Sequence, residues 1–458
     1  MDFSDSFEKI YDSVKNRSEH VEKSLTESMD SYGMNRQAKS ESYGTSVVGA
    51  EKFSVQERNF QLQQQIRPLF GKDGVNDTPI GTHPDFVSLE GTTETTYHYM
   101  CTLFVDIKGS TRLSLLYDLE TVFLFKNAVI SACVETVRSF DGYIHRIMGD
   151  AVLAFFGGKG KDKEDAIADA INCCVTLRAY LEESIKPFMT RNNLEAEHFG
   201  FRIGCDFGDD TEILWGNFGI ESVGEVSATG LPVDMASKLQ GLSSKNQTML
   251  GQGLLNFIDW PDKYSSIKKI EKDGQEEVLP LVVPNYTQKD GTPLNYKMRQ
   301  LAYKKCMEFI ALPSALKESI TKSYIKDSKA IEFRCFVVDE GNYEEYISAS
   351  RFLEKSKNLK FEVRASTTHA LNFPLTVKLI KTNHGSDTPD EERDIEQPHS
   401  IQTLWEQRRS KYNRSVLPYS STSIDEGTQY RGLHTMRCEV FDKYQKLVYR
   451  NVIAVLIK

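Results

Sequence analysis

The segments FVDIKGST, residues 104–111, and IMGDAVLAFF, residues 147–156, decide how this chain is interpreted. An apolar strand from Met100 to Ile107 places Asp106 at its end, directly before a Gly-Ser-Thr turn. Asp150 lies at the tip of a tight hairpin whose strands are YIHRIM and AVLAFF. Paired carboxylates beside glycine-rich backbone are what two Mg²⁺ or Mn²⁺ ions need in order to hold a triphosphate. The alternative is that Asp106 caps a helix and Asp150 merely suits a turn.

Composition narrows the class of protein. The chain has 458 residues, enough for two or three domains, and a net charge of −9. That acidic balance gives no basic surface for nucleic acid or an anionic membrane. No apolar run approaches the roughly 18 residues of a membrane span, and the first residues lack the plan of a signal peptide. Eight cysteines without a C-x-x-C pair predict buried, reduced thiols in a cytoplasmic protein.

The pattern of helices and strands divides the chain into four regions. Residues 1–95 combine helical spacing with a linker rich in Pro, Gly and Asp, and residues 96–285 alternate strands with helices. Residues 286–329 look helical and connective, and residues 330–458 are rich in short strands. We predict an α+β fold: one sheet with helices on its face, a helical N-terminal region and a small, β-sandwich-like C-terminal domain.

Residues 96–285 resemble the catalytic domain of class III nucleotidyl cyclases, the adenylate and guanylate cyclases. FVDIKGST and IMGDAVLAFF match the two metal motifs of that family, and WGNFG and GLPVDMASKL match its later motifs in the right order. The resemblance implies two Mg²⁺ or Mn²⁺ ions on Asp106 and Asp150, joined by the backbone carbonyl of Ile107. It also implies a phosphate cradle of backbone N–H groups, formed by Lys108, Gly109, Ser110 and Thr111.

Two residues in this resemblance bear on the base of the substrate. Adenylate cyclases read adenine with a Lys and an Asp, and guanylate cyclases use Glu and Cys. The matching positions here are Arg146 and Ser227, which fit neither purine pattern. Arg146 can donate to O2 and N3 of cytosine, while Ser227 can accept from N4 or bind through water. The longer, forked side chain of Arg also occupies space that a purine needs, so we rank CTP above UTP, and UTP above ATP. The alternative is a structural salt bridge for Arg146; His145 is interpreted as structural and is expected on the opposite sheet face.

The helix GLPVDMASKL departs from the family pattern. Its usual Asn and Arg, four residues apart, stand here as Asp234 and Lys238. Lys238 keeps a cation for the pentavalent phosphorus but loses the forked geometry of Arg. Asp234 can accept from a ribose hydroxyl, or it can pair with Lys238 as an ordinary surface bridge. This departure leaves a nucleotide-binding pseudo-cyclase as one alternative. An adenylate cyclase with an unusual base pocket, formed by Arg146 and Ser227, is another.

The family resemblance also implies an assembly. In class III cyclases the metal residues come from one protomer and the base-reading residues from the other, so a homodimer with two composite sites is expected. Lys268, Lys269 and Lys272 are candidates for a γ-phosphate contact, although lysines on a hairpin are usually solvated.

The C-terminal region has a resemblance of its own. TQYRGLHTMRCEVFD, residues 428–442, resembles the sensor domain of some bacterial defence cyclases. A cyclase joined to this domain is the layout of Pycsar pyrimidine cyclases, which make cyclic CMP or cyclic UMP as antiviral second messengers for a separate effector protein. Tyr430, Arg431 and His434 are candidate ligand contacts, and loop packing explains them equally well.

Overall fold

The computed structural model describes residues 3, 5–16, 60–220, 223–272, 274–367, 371–407 and 418–458. Part of the N-terminal region that we predicted to be helical, residues 17–59, lies outside the described residues. The helices are α1 (6–16), α2 (Gln61–Ile66), α3 (Ser110–Leu116), α4 (Leu119–Ser139), α5 (Lys163–Tyr180), α6 (Lys186–Arg191), α7 (Leu231–Leu242), α8 (Gln252–Phe257), α9 (Tyr303–Met307) and α10 (Ser314–Ile320).

The strands alternate with these helices up to residue 301 and dominate the chain after residue 330. They are β1 (Thr95–Tyr97), β2 (Met100–Lys108), β3 (Tyr143–Met148), β4 (Ala151–Phe156), β5 (Gly200–Gly208), β6 (Leu214–Ile220), β7 (Val223–Thr229), β8 (Gln247–Gly251), β9 (Ser265–Ser266), β10 (Lys268–Lys272), β11 (Gln275–Leu279), β12 (Met298–Leu301), β13 (Ile331–Asp339), β14 (Asn342–Tyr346), β15 (Phe352–Leu353), β16 (Asn358–Ser366), β17 (Leu375–Thr382), β18 (Glu396–Leu404), β19 (Tyr419–Gly427), β20 (Gly432–Phe441) and β21 (Leu447–Ile457).

A seven-stranded sheet in the order β3-β4-β2-β5-β8-β12-β9 forms the centre of the first domain. The strand β2 lies in the interior of this sheet, between β4 and β5, and both of its faces are buried, which explains why its sequence is apolar. Helices α4, α5 and α7 pack on this sheet. Helix α7 approaches β5 so closely that a Cβ atom on Gly204 would lie 2.1 Å from the Ala236 carbonyl oxygen, so only glycine fits there.

A smaller sheet, in the order β1-β6-β7, flanks the central one. The segment 286–329, which we predicted to be a helical connector, holds the short helices α9 and α10 but also strand β12. That strand pairs with β8 and β9 and extends the central sheet. Its four residues are too few for a pattern of alternation to be recognised in the sequence.

The C-terminal region is a sandwich of two sheets around one core. One sheet has the order β14-β13-β16-β19 and the other β15-β21-β20-β17-β18. Side chains from both sheets, such as Phe361 and Val377, belong to the same buried cluster. The predicted α+β fold class, with a C-terminal β-sandwich, is confirmed.

The sandwich is attached to the first domain through helix α5. Asn172 Nδ2 donates to the Ala349 carbonyl (2.8 Å), and the Phe352 amide donates to Asp165 (2.6 Å). All eight cysteines are buried and unpaired, as predicted. Within the described ranges no helix is both long and apolar enough to cross a bilayer.

Candidate active site

The two aspartates of the metal motifs lie at one edge of the central sheet. Asp106 on β2 pairs in register with Ala151 on β4, and Asp150 directly precedes that residue. The Ile107 amide donates to the Asp150 carbonyl oxygen at 3.3 Å. The tight β3–β4 hairpin therefore places both carboxylates at the same end of neighbouring strands, as the sequence predicted.

Each carboxylate is held through one of its oxygens. Arg202 Nε on β5 donates to Asp106 Oδ2 at 2.9 Å, and Ser110 Oγ donates to Asp150 Oδ2. The Oδ1 atom of each aspartate accepts no hydrogen bond from any residue that the structure describes. Two anchored carboxylates, each with one oxygen free of protein donors, fit hard divalent cations such as Mg²⁺ or Mn²⁺.

The turn that follows β2 has a backbone that only glycine adopts easily. Gly109 has a φ of 92°, and a Cβ atom there would lie 2.6 Å from the His198 carbonyl oxygen. Ser110 is the buried first residue of α3, whereas Lys108 and Thr111 are exposed. Because the Ser110 hydroxyl is committed to Asp150, its backbone N–H is the group that remains for a phosphate.

Strand β3 carries a bulge at His145. Ile144 pairs with Ala154 and Arg146 with Leu153, so His145 has no partner on β4. The bulge turns His145 to the same side as Arg146, and both side chains approach Glu225 on β7. The expectation that His145 points to the opposite face is therefore wrong, because strict alternation fails at a bulge.

His145 links Ser227 to the backbone. Its Nδ1 lies 2.9 Å from the Gly81 carbonyl oxygen and its Nε2 lies 3.1 Å from Ser227 Oγ. Since a carbonyl only accepts, Nδ1 carries the proton. Burial lowers the pKa of His145, which keeps the ring neutral, so Nε2 accepts from the Ser227 hydroxyl. Because the Ser227 hydroxyl donates its proton to His145, the Ser227 oxygen can only accept a hydrogen bond from a ligand.

Arg146 makes an ion pair within its own chain. Its guanidinium contacts Glu225, and the Arg146 side chain is 45% exposed. The salt bridge that was one interpretation of Arg146 is therefore present. The exposed remainder of the guanidinium still offers donors to a ligand.

The two residues of α7 lie on its exposed side. Asp234 occupies the first turn, where the helix dipole favours a carboxylate, and Lys238 Nζ lies 6.0 Å from the centre of the Tyr286 ring. Among the described residues no ion pair within 4.0 Å joins Asp234 to Lys238, so the surface bridge between them is absent. Both line an open groove of about 650 Å³ with Tyr286.

The late lysines have partners in the chain. Lys268 Nζ donates to the Leu242 carbonyl at the end of α7, and Lys269 pairs with Glu276 at 2.7 Å. The side chain of Lys272 lies outside what the structure describes. Neither described lysine stands free for a γ-phosphate.

The structure brings the candidate residues into three groups. The first is the metal edge around Asp106 and Asp150, the second is the base cluster of His145, Arg146, Glu225 and Ser227, and the third is the α7 groove. In the described parts of the chain no hydrogen bond or ion pair joins one group to another.

Arg202 and Glu225 were missed by sequence reasoning. Arg202 interrupts the apolar strand FRIG that pairs with the metal strand, and that interruption is the signal that could have identified it. Glu225 lies in a strand without a clear apolar pattern, so no comparable signal marks it.

Comparison with known proteins identifies the family. The cytidylate cyclase of Escherichia coli is 39% identical over 468 residues, covering 100% of both chains. The chain belongs to the cytidylate cyclase family. A cytidylate cyclase of Staphylococcus aureus is 36% identical over 401 residues, covering 86% of this chain and 87% of the relative.

This cytidylate cyclase family member also matches a domain family and solved structures. Residues 314–458 match the adenylyl/guanylyl and SMODS C-terminal sensor domain. The crystal structure of the adenylyl cyclase CyaB from P. aeruginosa matches with 18% identity and a TM-score of 0.36, covering 45% of this chain and 95% of that one. The resemblances noted in the sequence are confirmed, and the protein is a nucleotidyl cyclase.

Proposed function

We propose that this cyclase converts CTP to 3′,5′-cyclic CMP and pyrophosphate. The observation that carries the proposal is the base cluster, in a chain that matches cytidylate cyclases over its full length. Arg146 supplies donors, and Ser227 supplies an acceptor whose proton is engaged by His145. This is the hydrogen-bonding complement of a cytosine edge.

The same cluster separates cytosine from uracil. Cytosine offers N3 as an acceptor and N4 as a donor, whereas uracil offers an N3–H donor and an O4 acceptor. Ser227 cannot donate to O4 while its hydroxyl donates to His145 Nε2. Arg146, a donor only, has nothing to accept the uracil N3–H. Both mismatches leave polar groups unpaired, and such mismatches are what a polar pocket rejects most strongly.

At the metal edge, Asp106, Asp150 and the Ile107 carbonyl would hold two Mg²⁺ or Mn²⁺ ions. When bound, the ions neutralise charge on the ribose 3′ oxygen and on the departing pyrophosphate. Ser110 keeps the Asp150 carboxylate in place, and the turn after β2 presents backbone N–H groups to the phosphates. Arg202 donates to Asp106 Oδ2, and its guanidinium would be available to a phosphate oxygen if cations took its place on that carboxylate.

The reaction closes a ring within one nucleotide. The 3′ hydroxyl gives its proton to solvent, and its oxygen bonds to the α-phosphorus. The bond from that phosphorus to the bridging oxygen of the β-phosphate breaks, and pyrophosphate leaves with the bonding electron pair. Lys238 supplies a positive charge to the pentavalent phosphorus. Its exposed ammonium group acts as a single charge and lacks the two parallel donors of an Arg guanidinium. Asp234 stabilises the first turn of α7 and is able to accept from a ribose hydroxyl.

The active form is a homodimer in which each site takes the metal edge from one protomer and the other two groups from its partner. In line with this arrangement, no hydrogen bond or ion pair joins the metal edge to the other two groups in the described parts of the chain. An exposed apolar stripe on α3 and α4 also supports it, because such stripes are typical of interfaces. The stripe consists of Leu115, Leu116, Leu119 and Phe123.

In the cell the product serves as a second messenger of antiphage defence that activates a separate effector protein. What supports this role is the match of residues 314–458 to the adenylyl/guanylyl and SMODS C-terminal sensor domain, together with the resemblance of this region to sensor domains of bacterial defence cyclases.

The test is product formation from each of the four nucleoside triphosphates with Mn²⁺, read by mass spectrometry. We expect cyclic CMP as the main product. Asp150→Asn should lower the rate of product formation by at least about 100-fold, because a carboxylate ligand of the two metal ions is gone. The matched control, Glu277→Gln, changes an exposed carboxylate of the same domain, away from the proposed site and interface, and should keep full activity. Equal activity of Asp150→Asn would contradict the proposed metal site.

A further inference from the structure

Lys238 lies in the α7 groove without a carboxylate to hold it. Within the part of the chain that the structure describes, no ion pair of 4.0 Å or less involves its ammonium group. A lysine ammonium is a compact charge on a flexible four-carbon stem, so the stem itself does not fix where the charge lies. A contact of another kind is therefore needed to hold this charge beside a reacting phosphorus.

Tyr286 supplies a contact of that kind. Lys238 Nζ lies over the Tyr286 ring, 6.0 Å from its centre, within the range over which the negative face of an aromatic ring attracts a cation. The ring is half-buried and packs against an apolar cluster that includes Met235 and Leu239. Because these two residues lie on α7 with Lys238, the ring is fixed relative to the helix that carries the charge.

The backbone of Tyr286 belongs to a hairpin, residues 280–298, that we call the groove ribbon. The Leu294 amide donates to the Tyr286 carbonyl at 2.7 Å, and the Gln288 amide donates to the Thr292 carbonyl at 2.8 Å. These bonds run across the ribbon on either side of its tip. The ring of Tyr286 is therefore carried by a paired backbone and not by a loop without hydrogen bonds.

The other end of the groove ribbon is anchored on the central sheet. The Tyr296 hydroxyl donates to Asp206 on β5 at 2.7 Å. Helix α7 packs on the same strand, at the close approach to Gly204. Because the ribbon and α7 are attached to one strand, the separation between Tyr286 and Lys238 is determined by packed elements of the domain.

We infer that Tyr286 is a positioning residue for Lys238. The face of its ring holds the ammonium group in the place from which that group supplies charge to the pentavalent phosphorus. The inference rests on the proposed function, which gives Lys238 this role. A charge that is already in place when negative charge develops on the phosphorus stabilises the transition state more than a charge that must first be ordered.

The test is the steady-state formation of cyclic CMP from CTP by the full-length protein with Mn²⁺. We expect Tyr286→Leu, which keeps an apolar side chain against the cluster, to lower kcat about threefold with little change in KM. Tyr286→Phe keeps the ring face and should retain the parent kcat. The matched control, Tyr343→Leu, removes an exposed tyrosine that lies beside Lys360 on the sandwich, and it should leave kcat unchanged.

Fluorination of the ring separates positioning of a charge from packing alone. Phenylalanine carrying one, two or three fluorine atoms at position 286 keeps nearly the same shape, whereas the negative face of the ring weakens with each fluorine. We expect kcat to fall step by step along this series. The same kcat for phenylalanine and all its fluorinated forms would show that the ring only packs, and it would overturn the inference.

The failure of this inference can be distinguished from a failure of the proposed function. If Lys238→Ala loses activity while Tyr286→Leu keeps the parent kcat, the positioning role is wrong and the proposed role of Lys238 stands. If Lys238→Ala keeps the parent kcat, the proposed role of Lys238 is wrong, and the positioning role falls with it.

Discussion

His145 determines what its neighbour Ser227 can offer to a base. The ring is fixed between the Gly81 carbonyl and the Ser227 hydroxyl, and its neutrality follows from burial. The sequence alone indicated Ser227 and Arg146, because their positions relative to two motifs could be counted. It could not indicate the hydrogen bond from Ser227 to His145, because the two residues are 82 positions apart.

Replacing Ser227 with alanine removes the acceptor for N4 of cytosine. We expect Ser227→Ala to lower kcat/KM for CTP by about tenfold, equivalent to ~1.4 kcal/mol, and to change the value for UTP much less. Steady-state kinetics with both nucleotides measure this. Equal losses for CTP and UTP would mean that Ser227 does not read the base.

Removing the hydrogen bond from the Ser227 hydroxyl to His145 should reduce the selectivity for CTP over UTP. His145→Phe keeps a ring of similar size but has no acceptor for the hydroxyl, so Ser227 becomes able to donate to O4 of uracil. We expect the preference for CTP over UTP to fall while Arg146 still binds Glu225. The variant also leaves the Gly81 carbonyl unpaired, at a cost of about 1–3 kcal/mol, so its melting temperature should be recorded as a control. An unchanged preference in a folded variant would contradict the role of His145.

At the scale of elements, apolar runs made the main strands predictable. Strands β2, β5 and β21 are buried along most of their length, and their sequences are correspondingly rich in apolar residues. Strands β18 and β19 were missed because most of their side chains are exposed or half-buried, so no apolar pattern marks them. The metal aspartates could be predicted because they lie beside such runs, Asp106 near the end of one and Asp150 directly before the next, whereas the Arg202 partner of Asp106 comes from a strand 96 residues away.

Strand β5 also carries a buried acid that joins it to α8. Asp206 accepts hydrogen bonds from the Leu254 amide and the Tyr296 hydroxyl. Burial raises the pKa of Asp206 from 3.8 to about 7. Because the folded state holds the proton more tightly, the stability that this group contributes is fully present below about pH 4 and is lost as the pH rises to about 7.

We therefore expect the wild-type protein to lose stability relative to Asp206→Asn as the pH rises between these limits. Asparagine keeps the shape and stays neutral, so the variant should lack this part of the pH slope. Urea denaturation at several pH values measures the difference. Parallel slopes for the two proteins would show that Asp206 is ionised throughout.

At the scale of the whole molecule, the proposed site depends on two protomers. Lys238→Ala and Asp106→Asn should each be inactive alone, since each removes a different half of every site. Mixed before assembly, they should recover about a quarter of the parent activity, because half of the dimers are mixed and each mixed dimer has one intact site.

The matched control mixes Asp106→Asn with Asp150→Asn, which damage the same half and should recover nothing. Activity in the first mixture that stays at the level of the separate variants would place all the catalytic groups within one protomer. Cyclic nucleotide formation measured over time is the readout for both mixtures.

The central claim, that this cyclase selects cytosine, is tested most directly by competition. The wild-type protein is given CTP and UTP at one equal concentration with Mn²⁺, and the two cyclic products are measured by mass spectrometry. We predict that cyclic CMP exceeds cyclic UMP by at least about tenfold, because uracil leaves both Arg146 and Ser227 mismatched. Equal amounts of the two products, or an excess of cyclic UMP, would contradict the account.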